Sequence, residues 1–118
     1  MRGMDEVHVE RVLRAVEQVP PGRVVSYGDL GDLVGLRPRH VGSIMSHWGI
    51  NVTWWRVTNR VGDLPEALLA RARPHWEQEG IALKDSGSGC RFADHHADLD
   101  RLGEDYARAA ADLDDAAG

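Results

Sequence analysis

Apolar residues occupy the i, i+3, i+4 and i+7 positions of a stretch near the start of the chain: Val9, Val12, Leu13 and Val16. This spacing puts them on one helix face and predicts an amphipathic helix over about residues 5–18. Pro20-Pro21-Gly22 ends the helix, and Arg23-Val24-Val25 follows as a short extended link.

A shorter helix is predicted directly after this link. Ser26 suits the N-cap position, and Asp29 three residues later completes a capping box. The helix is expected to run to about Val34 and to stop at Gly35.

A third helix begins at Pro38, which suits a first helical turn. Its predicted buried stripe consists of Val41, Ile44, Met45 and Trp48. Its opposite face consists of Arg39, Gly42, Ser43 and Ser46. Together with the preceding helix it has the proportions of a helix-turn-helix, and the small residues on its open face let a backbone approach DNA closely. Two-helix turns of this size are also common in proteins that never touch DNA.

The second half of the chain predicts a mixture of short elements. Residues 52–58 are rich in β-branched and aromatic side chains and predict a short strand. Pro65 suits the start of a helix, which Pro74 is expected to end or kink, and a further short turn stops at Gly80. Residues 81–83 are a candidate for one more short strand.

The character of the chain changes after Lys84. Residues 86–89, Ser-Gly-Ser-Gly, predict a flexible linker, and the Asp- and Ala-rich segment beyond them predicts a marginal helix over about residues 97–113. The expected architecture is a small α/β domain, mostly α, with a winged helix-turn-helix-like core over residues 1–85. Residues 86–118 are expected to form an acidic extension that is partly helical or disordered.

Composition narrows the class of protein. A chain of 118 residues, 42% of them hydrophobic, fits one domain, and neither a long apolar run nor a basic-then-apolar leader argues for a membrane or for secretion. We therefore expect a cytoplasmic monomer. The single cysteine, Cys90, excludes an internal disulfide, and the six histidines lack paired metal-ligand spacing, so no metal or cofactor is predicted.

The net charge of −5 is unevenly distributed along the chain. Residues 1–60 hold eight Arg against six Asp or Glu, a balance of +2, whereas residues 61–118 hold six basic against thirteen acidic residues, a balance of −7. This distribution permits DNA binding by the middle of the chain without demonstrating it. Solubility alone would also explain the acidic tail.

Two motifs give the chain a specific resemblance. The stretch from Val19 to Tyr27, Val-Pro-Pro-Gly-Arg-Val-Val-Ser-Tyr, is followed by Arg39-His40-Val41-Gly42 with Met45 nearby. Over about residues 9–83 the chain resembles the DNA-binding domain of the O6-alkylguanine-DNA alkyltransferases. It is most similar to their non-enzymatic relatives, the alkyltransferase-like proteins.

The third motif of that family is altered in this chain. Where the transferases carry Pro-Cys-His-Arg-Val, this sequence has Thr53-Trp54-Trp55-Arg56-Val57. The resemblance implies that in the transferases this cysteine accepts the alkyl group. It is aided by the histidine and by a glutamate, which is matched here by Glu79. An indole is neither a nucleophile nor a base for this reaction, so we predict no alkyl transfer. Cys90 lies outside every family motif and is expected to be a bystander.

The resemblance also implies a binding role for individual residues. The arginine matched by Arg39 enters DNA through the minor groove and fills the space of an extruded base, while the tyrosine matched by Tyr27 crowds the rotating phosphate. Gly42 and Ser43 are expected at the same DNA surface. An ordinary solvated arginine and a core tyrosine are the competing interpretations for Arg39 and Tyr27.

The lesion pocket is expected to involve Tyr27, Trp54, Arg56 and Val57. Because neighbouring strand residues face opposite sides, we expect only Trp54 of the tryptophan pair in the pocket. Residues 62–65 match the region of the family's pocket lid.

The resemblance implies that the protein binds duplex DNA containing O6-alkylguanine, flips the lesion without reaction and flags it for nucleotide excision repair. The damage-recognition ATPase of that pathway is then a candidate partner, and the DNA-bound protein is expected at the nucleoid. A helix-turn-helix transcription regulator without a lesion pocket and an unusual alkyltransferase remain alternatives.

Overall fold

The computed structural model describes residues 2–113. In chain order the elements are α1 (Arg2–Glu17), β1 (Val25–Ser26), α2 (Tyr27–Val34), α3 (Pro38–Trp48), a first 3₁₀ turn (Gly49–Asn51), a second 3₁₀ turn (Trp54–Arg56), β2 (Val57–Thr58), α4 (Glu66–Glu79), α5 (Phe92–His95) and α6 (Leu99–Ala109). Strands β1 and β2 pair in parallel, with Val25 opposite Val57. The predicted fold class, a small and mostly helical domain with a short sheet, is confirmed.

The start of α2 follows directly from its sequence. The Asp29 amide donates to Ser26 Oγ at 3.0 Å, and the Ser26 amide donates to Asp29 Oδ2 at 2.9 Å, so the predicted capping box is present. Tyr27 is therefore fixed as the first residue of the helix. Gly35 ends α2 in the left-handed conformation, as predicted.

The helix-turn-helix depends on a close approach of two backbones at Gly31. The amides of Gly35 and Leu36 both donate to the Gly31 carbonyl, at 2.8 and 2.9 Å. A Cβ atom added at Gly31 would lie 2.4 Å from the Leu36 carbonyl oxygen. Any side chain at this position would therefore push α2 away from the turn that leads into α3.

Among the described residues, buried side chains form two apolar clusters. The first joins α1, α2, α3 and α6 and includes Val12, Leu30 and Leu102. The second surrounds Trp76 of α4 and includes Cys90. The sheet lies at their boundary, because Val25 belongs to the first cluster and the preceding Val24 belongs to the second.

The buried stripe predicted for α3 is correct in part. Val41 and Ile44 are buried, and Met45 packs partly buried against them. The prediction is wrong for Trp48, which is 44% exposed. Trp48 is the last residue of α3 and extends past the cluster that covers the earlier turns.

The expected break at Pro74 does not occur, because α4 continues unbroken from Glu66 to Glu79. Pro74 is exposed, whereas Ala72 and Trp76 on either side of it are fully buried. Packing of these two residues holds the helix together, and water can reach the backbone carbonyl that the proline leaves without a donor. The helix stops at Gly80, as predicted.

The predicted linker at residues 86–89 is a packed turn. The Cys90 amide donates to the Gly62 carbonyl at 2.9 Å, and a Cβ added at Gly89 would lie 2.2 Å from that same oxygen. The glycine is needed for this close contact and does not serve to loosen the chain. Residues 81–83 form an isolated bridge from Leu83 to Cys90 instead of a strand.

The separate extension predicted from residue 86 onward is also corrected. Cys90, Ala97, Leu102 and Ala110 are at most 6% exposed and belong to the core. Residues 86–113 are thus part of the same folded unit, while residues 114–118 lie outside the described part of the chain. No helix within residues 2–113 has both the length and the apolar character needed to cross a membrane.

Candidate functional site

A mostly apolar cavity of about 420 Å³ opens beside α3. The helix-turn-helix contributes Tyr27, Gly42, Met45 and Ser46. The two 3₁₀ turns and β2 contribute Gly49, Ile50, Trp54 and Val57. The segment that leads into α4 contributes Leu64 and Pro65, and α4 itself contributes Leu68 and Arg71. The volume of the cavity falls in the range of small-molecule sites, about 300–1,000 Å³.

Trp54 lines the cavity, although the local structure differs from the prediction. Residues 54–56 form a 3₁₀ turn, and the strand is limited to Val57–Thr58. The turn nevertheless separates the two indoles, whose planes meet at 86° with centroids 5.9 Å apart. Trp55 is directed away from the cavity, so the expected division between the two tryptophans is found for a different geometric reason.

Trp55, which the sequence motif predicts to match the family's histidine, makes a hydrogen bond to Glu79. Its Nε1 donates to Glu79 Oε2 at 2.8 Å. The Trp55 ring also stacks on His75, with centroids 3.7 Å apart and planes inclined by only 8°. The pair is further fixed by Trp76, whose Nε1 donates to the Trp55 carbonyl at 2.7 Å.

Arg56 does not line the cavity, which corrects its predicted placement. Its Nη2 lies 2.7 Å from Glu79 Oε2, and its Nη1 donates to the Val19 carbonyl at 2.9 Å. The Arg56 side chain is 11% exposed and the Glu79 side chain 12% exposed. A guanidinium this buried needs such partners, and they direct it toward the core and away from the cavity.

Glu79 joins three parts of the chain through one carboxylate. Besides Arg56 and Trp55, it accepts a hydrogen bond from the Gly22 amide at 3.0 Å. Burial by itself would raise the pKa of Glu79, but the hydrogen bonds from Arg56, Gly22 and Trp55 together outweigh it and lower this pKa below its ordinary value. Glu79 is therefore a charged structural anchor.

Arg71 is a cavity residue that the sequence reasoning missed. Its guanidinium carbon lies 5.7 Å from the centroid of the Trp54 ring, within the range of a cation–π contact. The helical spacing of Leu68, Arg71 and His75, at i, i+3 and i+7, could have identified this face of α4.

Three of the predicted DNA-contacting residues lie on α3 next to the cavity, and the fourth, Tyr27, begins α2. Arg39 and Ser43 are exposed and lie one helical turn apart, and Gly42 lines the cavity. Apart from the neighbouring backbone of α3, no atom of the described residues lies within 4 Å of a Cβ added at Gly42, so the surface is open there. Tyr27 is half-buried, and burial raises the pKa of its hydroxyl, which stays protonated at neutral pH.

Cys90 and the histidines supply no reactive or metal-binding group at the cavity. Cys90 is fully buried in the cluster around Trp76, and burial raises the pKa of its thiol to about 11. The thiol is therefore protonated at neutral pH and is a poor nucleophile. Within the part of the chain that the structure describes, no three His, Cys, Asp or Glu side chains are grouped to hold a metal ion.

The helix-turn-helix and the cavity beside it define a DNA-binding domain of the alkyltransferase type. Residues 8–81 match the family described as the DNA-binding domain of 6-O-methylguanine DNA methyltransferase, and the chain belongs to this family. The resemblance seen in the sequence motifs is thereby confirmed.

Two individual relatives show more narrowly which members of the family this chain is similar to. The chain is 31% identical over 94 residues to Alkyltransferase-like protein 1 of Schizosaccharomyces pombe, an alignment that covers 73% of this chain and 86% of the relative. It is 34% identical over 84 residues to the DNA base-flipping protein of Escherichia coli, covering 66% of this chain and 65% of that protein, which is less than two thirds of its length.

A solved structure has the same fold. The crystal structure of S. pombe Atl1 in complex with damaged DNA containing O6-carboxymethylguanine superposes with a TM-score of 0.67 at 28% identity, covering 80% of this chain and 97% of that one.

Proposed function

We propose that this protein binds duplex DNA, receives an O6-alkylated guanine in the cavity beside Trp54 and holds it without alkyl transfer. The observation that carries the proposal is the position of the Trp54 indole. The indole lines a cavity large enough for a small ligand, at a position that the sequence motif predicts to match the family's cysteine. The relatives named for alkyltransferase likeness and for base flipping support this reading.

Damage itself favours entry into such a cavity. An alkyl group on O6 removes the N1 proton of guanine and weakens its pairing, so extruding the base costs least at the lesion. An indole wall desolvates the flat purine and its alkyl group, which by analogy with base stacking contributes about 1–3 kcal/mol. Apolar neighbours such as Met45 and Leu68 add contact area.

Arg39 is the proposed occupant of the space that the base leaves. It is exposed at the start of α3, and its planar guanidinium can stack on bases while keeping its charge. Tyr27, at the cavity edge, is the proposed contact to the rotated phosphate.

The proposal excludes transfer on chemical grounds. An indole at position 54 cannot accept the alkyl group, and the Trp55 Nε1 donates its hydrogen to Glu79 and offers no basic lone pair. A long-lived complex would then mark the site for nucleotide excision repair, with the damage-recognition ATPase of that pathway as the proposed partner of the monomeric protein.

The test compares two duplexes that differ only in one O6-methylguanine. We expect tighter binding to the damaged duplex by fluorescence anisotropy, quenching of tryptophan fluorescence, and no gain of one methyl group in the protein mass. Trp54→Ala should lose about 1–3 kcal/mol of lesion binding. Trp48→Ala, which removes an exposed indole outside the cavity, should bind as the parent does.

Each contrary result has a distinct meaning. Equal affinity for both duplexes, or a preference for one DNA sequence regardless of damage, would favour a transcription regulator. A stoichiometric mass gain would identify an alkyltransferase. If Trp54→Ala kept the preference for the lesion, the Trp54 indole would have no role in lesion binding.

A further inference from the structure

A segment near the end of the chain is hydrogen-bonded to the strand that leads into Tyr27. The Val24 amide donates to the His95 carbonyl at 2.9 Å, and the Ala97 amide donates to the Val24 carbonyl at 3.0 Å. Residues 95–97 therefore run parallel to the chain just before β1. The family match ends at residue 81, so this segment lies beyond it.

The His96 side chain continues the contact into the capping box of α2. Its Nε2 lies 2.8 Å from Asp29 Oδ2, the same oxygen that accepts the Ser26 amide hydrogen. An ionised carboxylate can only accept hydrogen bonds, so the imidazole Nε2 is the donor. The Phe92 ring packs against the imidazole at 4.6 Å between centroids and restrains its orientation.

We infer that His96 is a positioning residue for the lesion cavity, an inference that rests on the proposed function. His96 holds the Asp29 carboxylate, which holds the Ser26 amide, and the next residue is Tyr27 at the cavity edge. Tyr27 is half-buried, and the backbone on its N-terminal side is fixed by Asp29 and by the residue 95–97 segment. The backbone that carries the Tyr27 ring is thus held at the cavity edge, so less ordering of this segment is required on binding.

The neighbouring histidine provides a matched control. His95 Nε2 accepts a hydrogen bond from the Ala82 amide at 3.0 Å, so its ring also joins the terminal segment to the rest of the fold. This bond reaches residues 81–83 and makes no contact with the α2 capping box. His95→Ala and His96→Ala each remove one imidazole and one hydrogen bond, but only the second frees Asp29.

The first measurement is binding to the two duplexes by the parent protein, His96→Ala, His96→Gln and His95→Ala, with the thermal midpoint of each variant. His96→Ala should weaken lesion binding by about three- to tenfold, the equivalent of one hydrogen bond. His95→Ala should stay within about twofold at a comparable thermal midpoint. The Gln side chain can place an amide donor near the position of Nε2, so His96→Gln should restore binding.

The second measurement needs no DNA. Amide hydrogen exchange at Ser26 and Tyr27 should be faster in His96→Ala than in His95→Ala, because the Asp29 carboxylate is less restrained.

The outcomes separate the two proposals. If the parent prefers the lesion but His96→Ala binds it no more weakly than His95→Ala, the positioning role is overturned and the proposed function stands. If the parent shows no preference, the proposed function fails, and the exchange rates alone decide whether His96 orders α2. Equal exchange in both variants would overturn that as well.

Discussion

Trp54 is held by neighbouring groups from several directions. The Trp55 and His75 rings meet it edge to face, with centroids 5.9 and 6.0 Å away. The Arg71 guanidinium lies 5.7 Å from the centre of the Trp54 ring. A ring restrained in this way loses little freedom when a flat ligand stacks on it, so the cavity wall is preorganised for binding.

Arg71 should contribute to lesion binding through its charge. Arg71→Met keeps a long apolar stem but removes the cation–π contact with Trp54, and the affinity for the damaged duplex should fall about two- to fivefold, equivalent to about 0.5–1 kcal/mol. Arg73→Met is the control, because Arg73 is exposed on the same helix and lies outside the cavity. This substitution removes the same charge as Arg71→Met. Equal losses in titrations of both variants would reduce the role of Arg71 to general attraction of DNA.

Glu79 should make the stability of the fold depend on pH in a defined direction. Its pKa is lower in the folded protein than the ordinary value of 4.5. Its contribution is therefore complete at pH above 4.5 and is lost as the pH falls through the lower, folded-state pKa. Glu79→Gln should lower the free energy of unfolding at neutral pH by about 3 kcal/mol, because it breaks a buried ion pair with Arg56.

Urea unfolding at several pH values checks this prediction. The difference between the parent and Glu79→Gln should shrink as the solution is acidified below pH 4.5. Glu77→Gln, at an exposed position of the same helix, should follow the parent at every pH. A gap that stays constant with pH would show that Glu79 stabilises the fold by shape and not by charge.

At the level of elements, the features predicted correctly from the sequence are those that depend on interactions between residues close together in the chain. The capping box of Ser26 and Asp29 and the stop at Gly80 involve groups within a few residues of each other, so spacing was enough to find them. Helix α4 runs through Pro74 because Ala72 and Trp76, on either side of it, are buried in a cluster with residues distant in the sequence such as Val24. The packed turn at residues 86–89 depends on Gly62, which lies too far along the chain for a local pattern to reveal.

The residues of the candidate site also divide into those that sequence motifs could identify and those that only the folded chain brings together. Tyr27, Trp54 and Val57 were identified from motifs, and the structure brings all three to one cavity, although their role in binding remains a prediction. Arg71 was missed because only the folding of α4 against the second 3₁₀ turn brings it to Trp54. Arg56 was wrongly predicted to line the cavity, because a residue that matches a motif does not show in which direction its side chain points.

Helix α6 offers a direct test of whether the end of the chain is structural. Leu102 is 3% exposed and belongs to the larger core cluster, whereas Leu99 on the same helix is 42% exposed. Leu102→Ala should lower the free energy of unfolding by about 2–5 kcal/mol through lost burial and a cavity. Leu99→Ala should cost well under half of that in the same urea titration. Similar small losses for both would mean that α6 is loosely attached.

At the scale of the whole molecule, the basic residues at the start of α3, Arg37 and Arg39, lie outside the lining of the apolar cavity. Exposed acidic residues are spread over several elements, among them Glu10 of α1, Glu66 of α4 and Asp100 of α6, while Arg37 and Arg39 flank the start of α3 beside the open surface at Gly42. A net negative protein can therefore still present a basic edge to DNA phosphates. The cavity itself is lined mainly by apolar groups.

This separation predicts how salt should act on binding. Contacts to phosphates release counterions, so raising the salt concentration should weaken binding to damaged and undamaged duplexes in parallel. Under the proposed function, preference for the lesion would come from desolvation in the apolar cavity and from Arg39. The ratio of the two affinities should then change by less than about twofold between roughly 50 and 200 mM salt. Arg37→Ala and Arg39→Ala each remove one exposed charge and should weaken binding to undamaged DNA similarly, but only Arg39→Ala should lower the ratio. A ratio that decays with salt, or that falls equally in both variants, would assign lesion recognition to surface charge and not to the cavity.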